Sequence, residues 1–246
     1  MSHNEKSRIS AYFQTYGRCE VERYKMILIT GASSGLGAEL AKLYDCDGQP
    51  TYLTGRSEGK LSEITNRLSN NIGYQACDLS LHQDVEQLFD QLGQAPQTVI
   101  HSAGSGYFGL LEDQEPEQIQ KLINNNLNSA INVLRELVKR YKDHSVNVVM
   151  IMSTASQQPK AQESTYCAVK WAVKGLIESV RLELKGKPMK IIAVYPGGMA
   201  TEFWETSGKS LDLSSFMQAE DAAQMIHDAV SSIGNGYVSD ITVNRL

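Results

Sequence analysis

The sequence lacks any apolar run near the roughly 20 residues that a bilayer demands of a spanning helix. Its longest apolar stretch, Val146 to Met152, is interrupted by Asn147 and is strand-sized. No membrane association is expected. Near the start there is no apolar block followed by a small-residue cleavage site, so no secretory signal is read there. Paired cysteines are also missing. Cys19, Cys46, Cys77 and Cys167 lie far apart and make no C-x-x-C motif. A chain of 246 residues can bury a sizeable core without covalent staples, so the four are read as reduced thiols of a cytoplasmic protein. Positive charge is not in surplus: Lys and Arg number 23 against 28 Asp and Glu, for a net charge of −5. That excludes a nucleic-acid binder working mainly by charge. What is present, 41% hydrophobic and 21% charged residues, is ordinary for a globular protein and excludes wholesale disorder.

Residues 1–25 mix charges with scattered aromatics and show little periodicity. At Met26 the pattern changes to Met26-Ile27-Leu28-Ile29, a buried-strand signature. The expectation is a dispensable extension over 1–25, or a wrongly placed start, followed by one domain over 26–246. Beyond Met26, strands alternate with helices. Strands are expected at Thr51–Leu53, Ile72–Gln75, Thr98–His101, Val146–Met152, Lys190–Tyr195 and Gly236–Val243. Helices are expected at Glu58–Leu68, Asp84–Leu92, Pro116–Tyr141, Thr165–Leu184 and Glu220–Ser232. Such alternation makes βαβ units and a parallel sheet covered on both faces, the doubly wound α/β (Rossmann) fold. Two helices carry stripes at three-to-four spacing. One runs through Leu122, Ile123, Leu127, Ala130, Val133, Leu134 and Leu137, the other through Ala168, Ala172, Gly175, Leu176, Ser179 and Leu182. Both read as core packing, with a second subunit as the other use and a homodimer through helices 116–141 and 165–184 as its consequence.

Thr30-Gly31-Ala32-Ser33-Ser34-Gly35-Leu36-Gly37 follows the first strand and opens the first helix. Glycines there allow a tight turn and bring backbone N–H groups, together with a helix N-terminus, up to a pyrophosphate. In that strand–turn–helix context the segment reads as a dinucleotide site. The residues after the second strand choose the cofactor. An acid there would bind the ribose 2′-hydroxyl of NAD, and a base would receive the 2′-phosphate of NADP. Arg56 and Ser57 stand at that place, with Glu58 slightly beyond as the sole local argument for NAD. NADP(H) is therefore favoured over NAD(H). Asp78, after the third strand, could accept from the adenine amino group or cap a local helix. No metal site is expected.

Tyr166 and Lys170 are four apart on one helix and share a face. Ser153 ends the fifth strand, where doubly wound sheets hold their ligands. Tyrosine ordinarily titrates near 10, so a nearby ammonium and a cationic nicotinamide are expected to lower its pKa.

Together these residues resemble the short-chain dehydrogenase/reductase family in its short, single-domain branch. The resemblance runs from Met26 to about Thr201. It rests on Thr30-Gly31-x3-Gly35-x-Gly37, Asp78-Leu79, Ala103-Gly104, Asn126-Leu127, Ser153, Tyr166-x3-Lys170 and Pro196-Gly197-x3-Thr201. It implies Tyr166 as general acid for carbonyl reduction and general base for the reverse. It further implies Ser153 as the group polarising the substrate oxygen and Lys170 as the holder of the nicotinamide ribose. Asn126 would fix a proton-relaying water. Cofactor contacts are expected from Gly31, Ser33, Ser34, Gly35, Leu36, Gly37, Arg56, Ser57, Asp78, Leu79, Ser102, Ala103, Gly104, Tyr166 and Lys170. Pro196, Gly197, Met199 and Thr201 would wrap the nicotinamide. His101-Ser102 stands where the family often has two asparagines, and His101 is read as structural. Phe203, Trp204 and Phe216 are lid aromatics over an apolar substrate or a cover for the core.

The function expected is thus NADP(H)-dependent hydride transfer to or from a small carbonyl or alcohol substrate, of carbonyl reductase type. A 3-oxoacyl-type reductase and a non-catalytic NADP(H)-binding redox sensor are the alternatives. Retention of Asn126, Ser153, Tyr166 and Lys170 together speaks for an enzyme.

Overall fold

The computed structural model describes residues 26–205, 207, 212–231 and 236–245; the extension expected over 1–25 lies outside them. The chain alternates β1 (Ile27–Thr30), α1 (Gly35–Cys46), β2 (Thr51–Gly55), α2 (Glu58–Thr65), β3 (Asn71–Ala76), α3 (His82–Gln91) and β4 (Thr98–His101). Then come α4 (Pro116–Ile123), α5 (Ser129–Tyr141), β5 (Asn147–Ile151), α6 (Ser164–Glu183) and β6 (Lys190–Pro196). Two short strands, β7 (Met199–Ala200) and β8 (Met217–Gln218), α7 (Ala219–Ser231) and β9 (Asp240–Val243) complete it.

Seven strands form one sheet in the order β3-β2-β1-β4-β5-β6-β9, every neighbouring pair parallel. All four residues of β1 are buried, as a parallel strand covered on both faces must be. Successive side chains point to opposite faces. Leu28, Val148 and Ile191 therefore join the core under α3, α5 and α6, while Ile27, Ile29, Val149 and Ile192 join the core under α1, α2 and α7. Strand order reverses between β1 and β4, and the crevice at the carboxyl ends of these strands is where such sheets hold ligands.

Three expectations need correction. The helix expected over Pro116–Tyr141 is not continuous, because a π-helical turn, Asn124–Asn128, separates α4 from α5. There the Asn126 side-chain amide donates to the Leu122 and Ser105 carbonyls, and the Ser129 hydroxyl donates to the Asn125 and Asn126 carbonyls. Side chains thus serve backbone acceptors that the widened turn takes out of the regular ladder. Of the stripe read on α6, Leu176 alone packs partly against the core, and the rest is the wrong face. Val169, Val173, Ile177 and Val180 enter the core, whereas Ala168, Ala172, Gly175 and Ser179 are exposed and Leu182 is 76% exposed. Both faces have helical period, and only the sheet decides which is covered. The stripe on α5 does face the core, through Ala130, Val133, Leu134 and Leu137. The last strand starts at Asp240 rather than Gly236.

Candidate active site and cofactor cleft

The carboxyl ends of β1, β2, β4, β5 and β6 open into a cleft of about 470 Å³. Its floor is the turn between β1 and α1. Gly31 sits there at φ +66°, and a Cβ on it would lie 2.6 Å from the Ala103 backbone nitrogen. No side chain fits, which keeps the turn flat against the end of β4. Gly31, Ser33, Ser34, Gly35 and Leu36 all line the cleft at the start of α1. Gly37 does not line it. It lies beneath the turn, where a Cβ would meet the Gly31 carbonyl oxygen at 2.4 Å, so its place is packing.

Arg56 and Ser57 form one wall after β2. Ser57 caps α2 by accepting from the Lys60 N–H, and the Arg56 guanidinium donates to Asn125 Oδ1 at 3.4 Å. Asp78 and Leu79 line the wall after β3. The Asp78 carboxylate accepts from the Ser80 N–H and hydroxyl, so it holds a local turn; the residue at the cap of α3 is Leu81. Ser102, Ala103 and Gly104 line the end of β4, and Pro196, Gly197, Met199 and Thr201 the end of β6. This lining, an anion-seeking turn at one end and a cationic wall beside it, fits a dinucleotide with its pyrophosphate at the turn.

At the end of β5 the sequence-predicted groups converge. Ser153, Tyr166 and Lys170 line the same cleft, with the Ser153 side chain close enough to the Tyr166 phenol to favour its ionised form. The Ser153 oxygen also accepts from the Ala155 N–H, which fixes its side chain. Asn126 lies behind them, buried, its Oδ1 2.8 Å from where a Gly104 Cβ would stand; the same point is 3.7 Å from Lys170 Nζ. That Oδ1 has no hydrogen-bond partner among the described residues. Burial, with Glu163 and Cys167 adding to it, pushes the Tyr166 phenol well above its ordinary value, and nearby Ser153 only partly opposes this. Burial alone lowers Lys170 to about 8. The lowering expected of Tyr166 involves a bound cationic nicotinamide as well; in the protein alone, burial sets the direction.

Further groups of the cleft lie outside the motifs. Phe108 stacks edge-on against Tyr166 at 5.1 Å and lies 5.4 Å from Trp204, while Phe203 lies 6.0 Å from Tyr166. Phe203 and Trp204, expected as either a lid or core cover, thus flank the tyrosine. Phe216 packs on Trp204 at 5.3 Å and takes the Arg245 guanidinium over its ring. Lys60 and Glu202 also face the cleft. Their relation is long-range, so no local pattern could show it. His101, read as structural, is buried and pairs through Nδ1 with the Thr30 hydroxyl at 2.9 Å, joining β4 to β1.

A doubly wound sheet with this cleft defines a dinucleotide-dependent oxidoreductase. Residues 25–212 match the short chain dehydrogenase family, and the chain belongs to it. It is similar to a short-chain dehydrogenase/reductase from Vibrio parahaemolyticus, at 83% identity and a TM-score of 0.84, over 89% of this chain and 96% of that one. Sulfoacetaldehyde reductase 2 of Chromohalobacter salexigens is 27% identical over 237 residues, covering 90% of this chain and 92% of its own. The alcohol dehydrogenase of Thermococcus sibiricus, complexed with 5-hydroxy-NADP, shares the fold at 22% identity and a TM-score of 0.80, over 89% and 95% of the two chains.

Proposed function

We propose that the protein is an NADP(H)-dependent reductase of small carbonyl compounds, with Tyr166 as its general acid and, in the reverse direction, its general base. The observation that carries this is the convergence of Ser153, Tyr166 and Lys170 in the cleft whose other end holds Arg56 and Ser57. The dinucleotide, when bound, supplies or accepts the hydride. The Ser153 hydroxyl donates to the substrate carbonyl oxygen and polarises it. Tyr166 Oη delivers the proton to that oxygen as it becomes an alcohol. Lys170 holds the ribose hydroxyls and supplies positive charge as the phenolate forms. Asn126, through its unpartnered Oδ1, fixes the water that returns a proton towards Lys170. Phe108, Phe203 and Trp204 exclude water around Tyr166, so the carbonyl carries apolar rather than charged substituents.

Oxidation of NADPH and NADH is followed against a panel of aldehydes, ketones and diketones. Faster consumption of NADPH supports the reading; faster consumption of NADH overturns the cofactor choice. Tyr166→Phe is expected to cost roughly 10²–10⁴-fold in turnover while NADPH binding is kept. Unchanged activity removes Tyr166 from the mechanism, and a wild type that binds NADPH but turns over nothing favours a redox sensor.

The exposed stripe on α6, with Trp171 beside it, supports a homodimer through α5 and α6, testable by sedimentation. A cytoplasmic location is supported by free Cys46, Cys77 and Cys167. No helix among the described residues is long and apolar enough to cross a membrane.

A further inference from the structure

Lys60 Nζ lies 2.6 Å from Glu202 Oε2, an ion pair between residues 142 apart in sequence. Each end belongs to a different part of the cleft. Lys60 stands in the first turn of α2, its backbone N–H on Ser57 Oγ, beside Arg56 on the wall that would receive a 2′-phosphate. Glu202 follows Thr201, whose side chain lies 3.5 Å from where a Cβ on Gly35 would be, at the phosphate-facing start of α1. It precedes Phe203, which packs on Phe108 and Tyr166 over the substrate end. The pair therefore ties the adenosine wall to the segment that covers the substrate.

Both side chains are 52% exposed, so the pair is screened by solvent and its exchange costs little. A phosphate dianion is the stronger acceptor for an ammonium than a single solvated carboxylate. Arg56 is turned towards Asn125, which leaves Lys60 as the second cation of this wall.

We propose that Lys60 is shared between Glu202 and the 2′-phosphate of the cofactor, so that the Lys60–Glu202 pair is a latch on the 202–204 segment which a 2′-phosphorylated dinucleotide releases and an unphosphorylated one does not. Glu202 is then a specificity-determining residue through its competition for Lys60, without touching the cofactor. The inference rests on the NADP(H) reading given above.

The test is equilibrium binding of NADPH and NADH, by nucleotide fluorescence, to the wild type and to Lys60→Met, Glu202→Gln and the double variant. Both residues are half-exposed, and thermal unfolding of each variant checks that it folds. Glu202→Gln is expected to tighten NADPH roughly two- to fivefold, the weight of an exposed ion pair, and to leave NADH unmoved. Lys60→Met is expected to weaken NADPH roughly fivefold or more and to spare NADH. In the double variant the gain from Glu202→Gln should vanish, since it acts only through Lys60. Changes that are equal for the two nucleotides, a weaker NADPH affinity in Glu202→Gln, or a gain that survives in the double variant would overturn the latch. Arg56→Gln separates the two levels. If it costs NADPH affinity while Lys60→Met does not, the latch alone falls. If it too leaves NADPH and NADH equal to wild type, the NADP(H) reading falls with it.

Discussion

Lys170 Nζ lies 5.7 Å from the centroid of the Tyr166 ring, one turn along the same helix, and burial moves the two groups in opposite directions. The phenol is held protonated and the ammonium is made easier to discharge. A protonated phenol is the form that carbonyl reduction needs, and a charged lysine is the form that favours the phenolate left behind.

Reductive turnover should therefore be steady below neutral pH and fall as pH rises through about 8, where Lys170 loses its proton. Deprotonation removes positive charge beside the nascent phenolate, so the sign is a loss. A pH profile of kcat with saturating NADPH and substrate measures it, and the limb reports the Tyr166–Lys170 pair rather than either residue alone. In Lys170→Met the limb should disappear from a rate already far lower. A wild-type rate that climbs steadily through pH 9 would contradict the assignment.

His101 gives a pH dependence of stability. Burial, with Lys170 nearby, lowers it from 6.5 to about 3. Between those values the unfolded chain binds a proton that the folded chain refuses, so stability is lost as pH falls through that window. The loss grows by about 1.4 kcal/mol for each pH step of one inside the window and reaches a few kcal/mol at its acid end. Asparagine can reach Thr30 in place of the imidazole Nδ1 but does not titrate. Chemical denaturation at pH 7 and pH 4.5 should show a smaller pH effect in His101→Asn than in wild type.

Arg56 should decide between the two dinucleotides. A hydrogen bond to a charged group weighs about 1.5–3 kcal/mol, or roughly 10- to 100-fold. Arg56→Gln is expected to raise the NADPH dissociation constant by that factor and leave NADH within about twofold. Titration of both nucleotides checks it.

Gly106 is the seat of an aromatic ring. A Cβ there would lie 2.6 Å from Phe203 Cζ and 2.9 Å from Phe108 Cε2, so Gly106→Ala must displace aromatics that flank Tyr166. Overpacking of this kind costs about 1–3 kcal/mol of stability. The expected kinetic sign is a higher KM for the carbonyl substrate with the NADPH dissociation constant unchanged. Equal loss of both would place Gly106 in general folding instead.

Much of the fold was legible in the chain because its signals are local. Apolar runs and the helical period mark β1 to β6, α1 to α3, α6 and α7 in order, and β4 falls at Thr98–His101 as expected. The spacing of Gly31, Gly35, Ser153, Tyr166 and Lys170 is set by a turn, a strand end and a helix face, each short in sequence, and the structure gathers all five in one cleft. Less legible were the π-helical turn, which depends on Asn126 reaching Ser105 across 21 residues, and the burial of Tyr166, supplied by Phe108 and Phe203 from distant loops.

The sequence by itself determined the strand–helix alternation, the glycine turn and the spacing of Ser153, Tyr166 and Lys170, because each follows from residue type and nearby spacing. The tertiary structure alone decided which face of α6 enters the core, the direction in which Tyr166 is shifted, and the meeting of Lys60 with Glu202. Burial and long-range pairing depend on what the rest of the chain brings to a residue, and no local window contains that information.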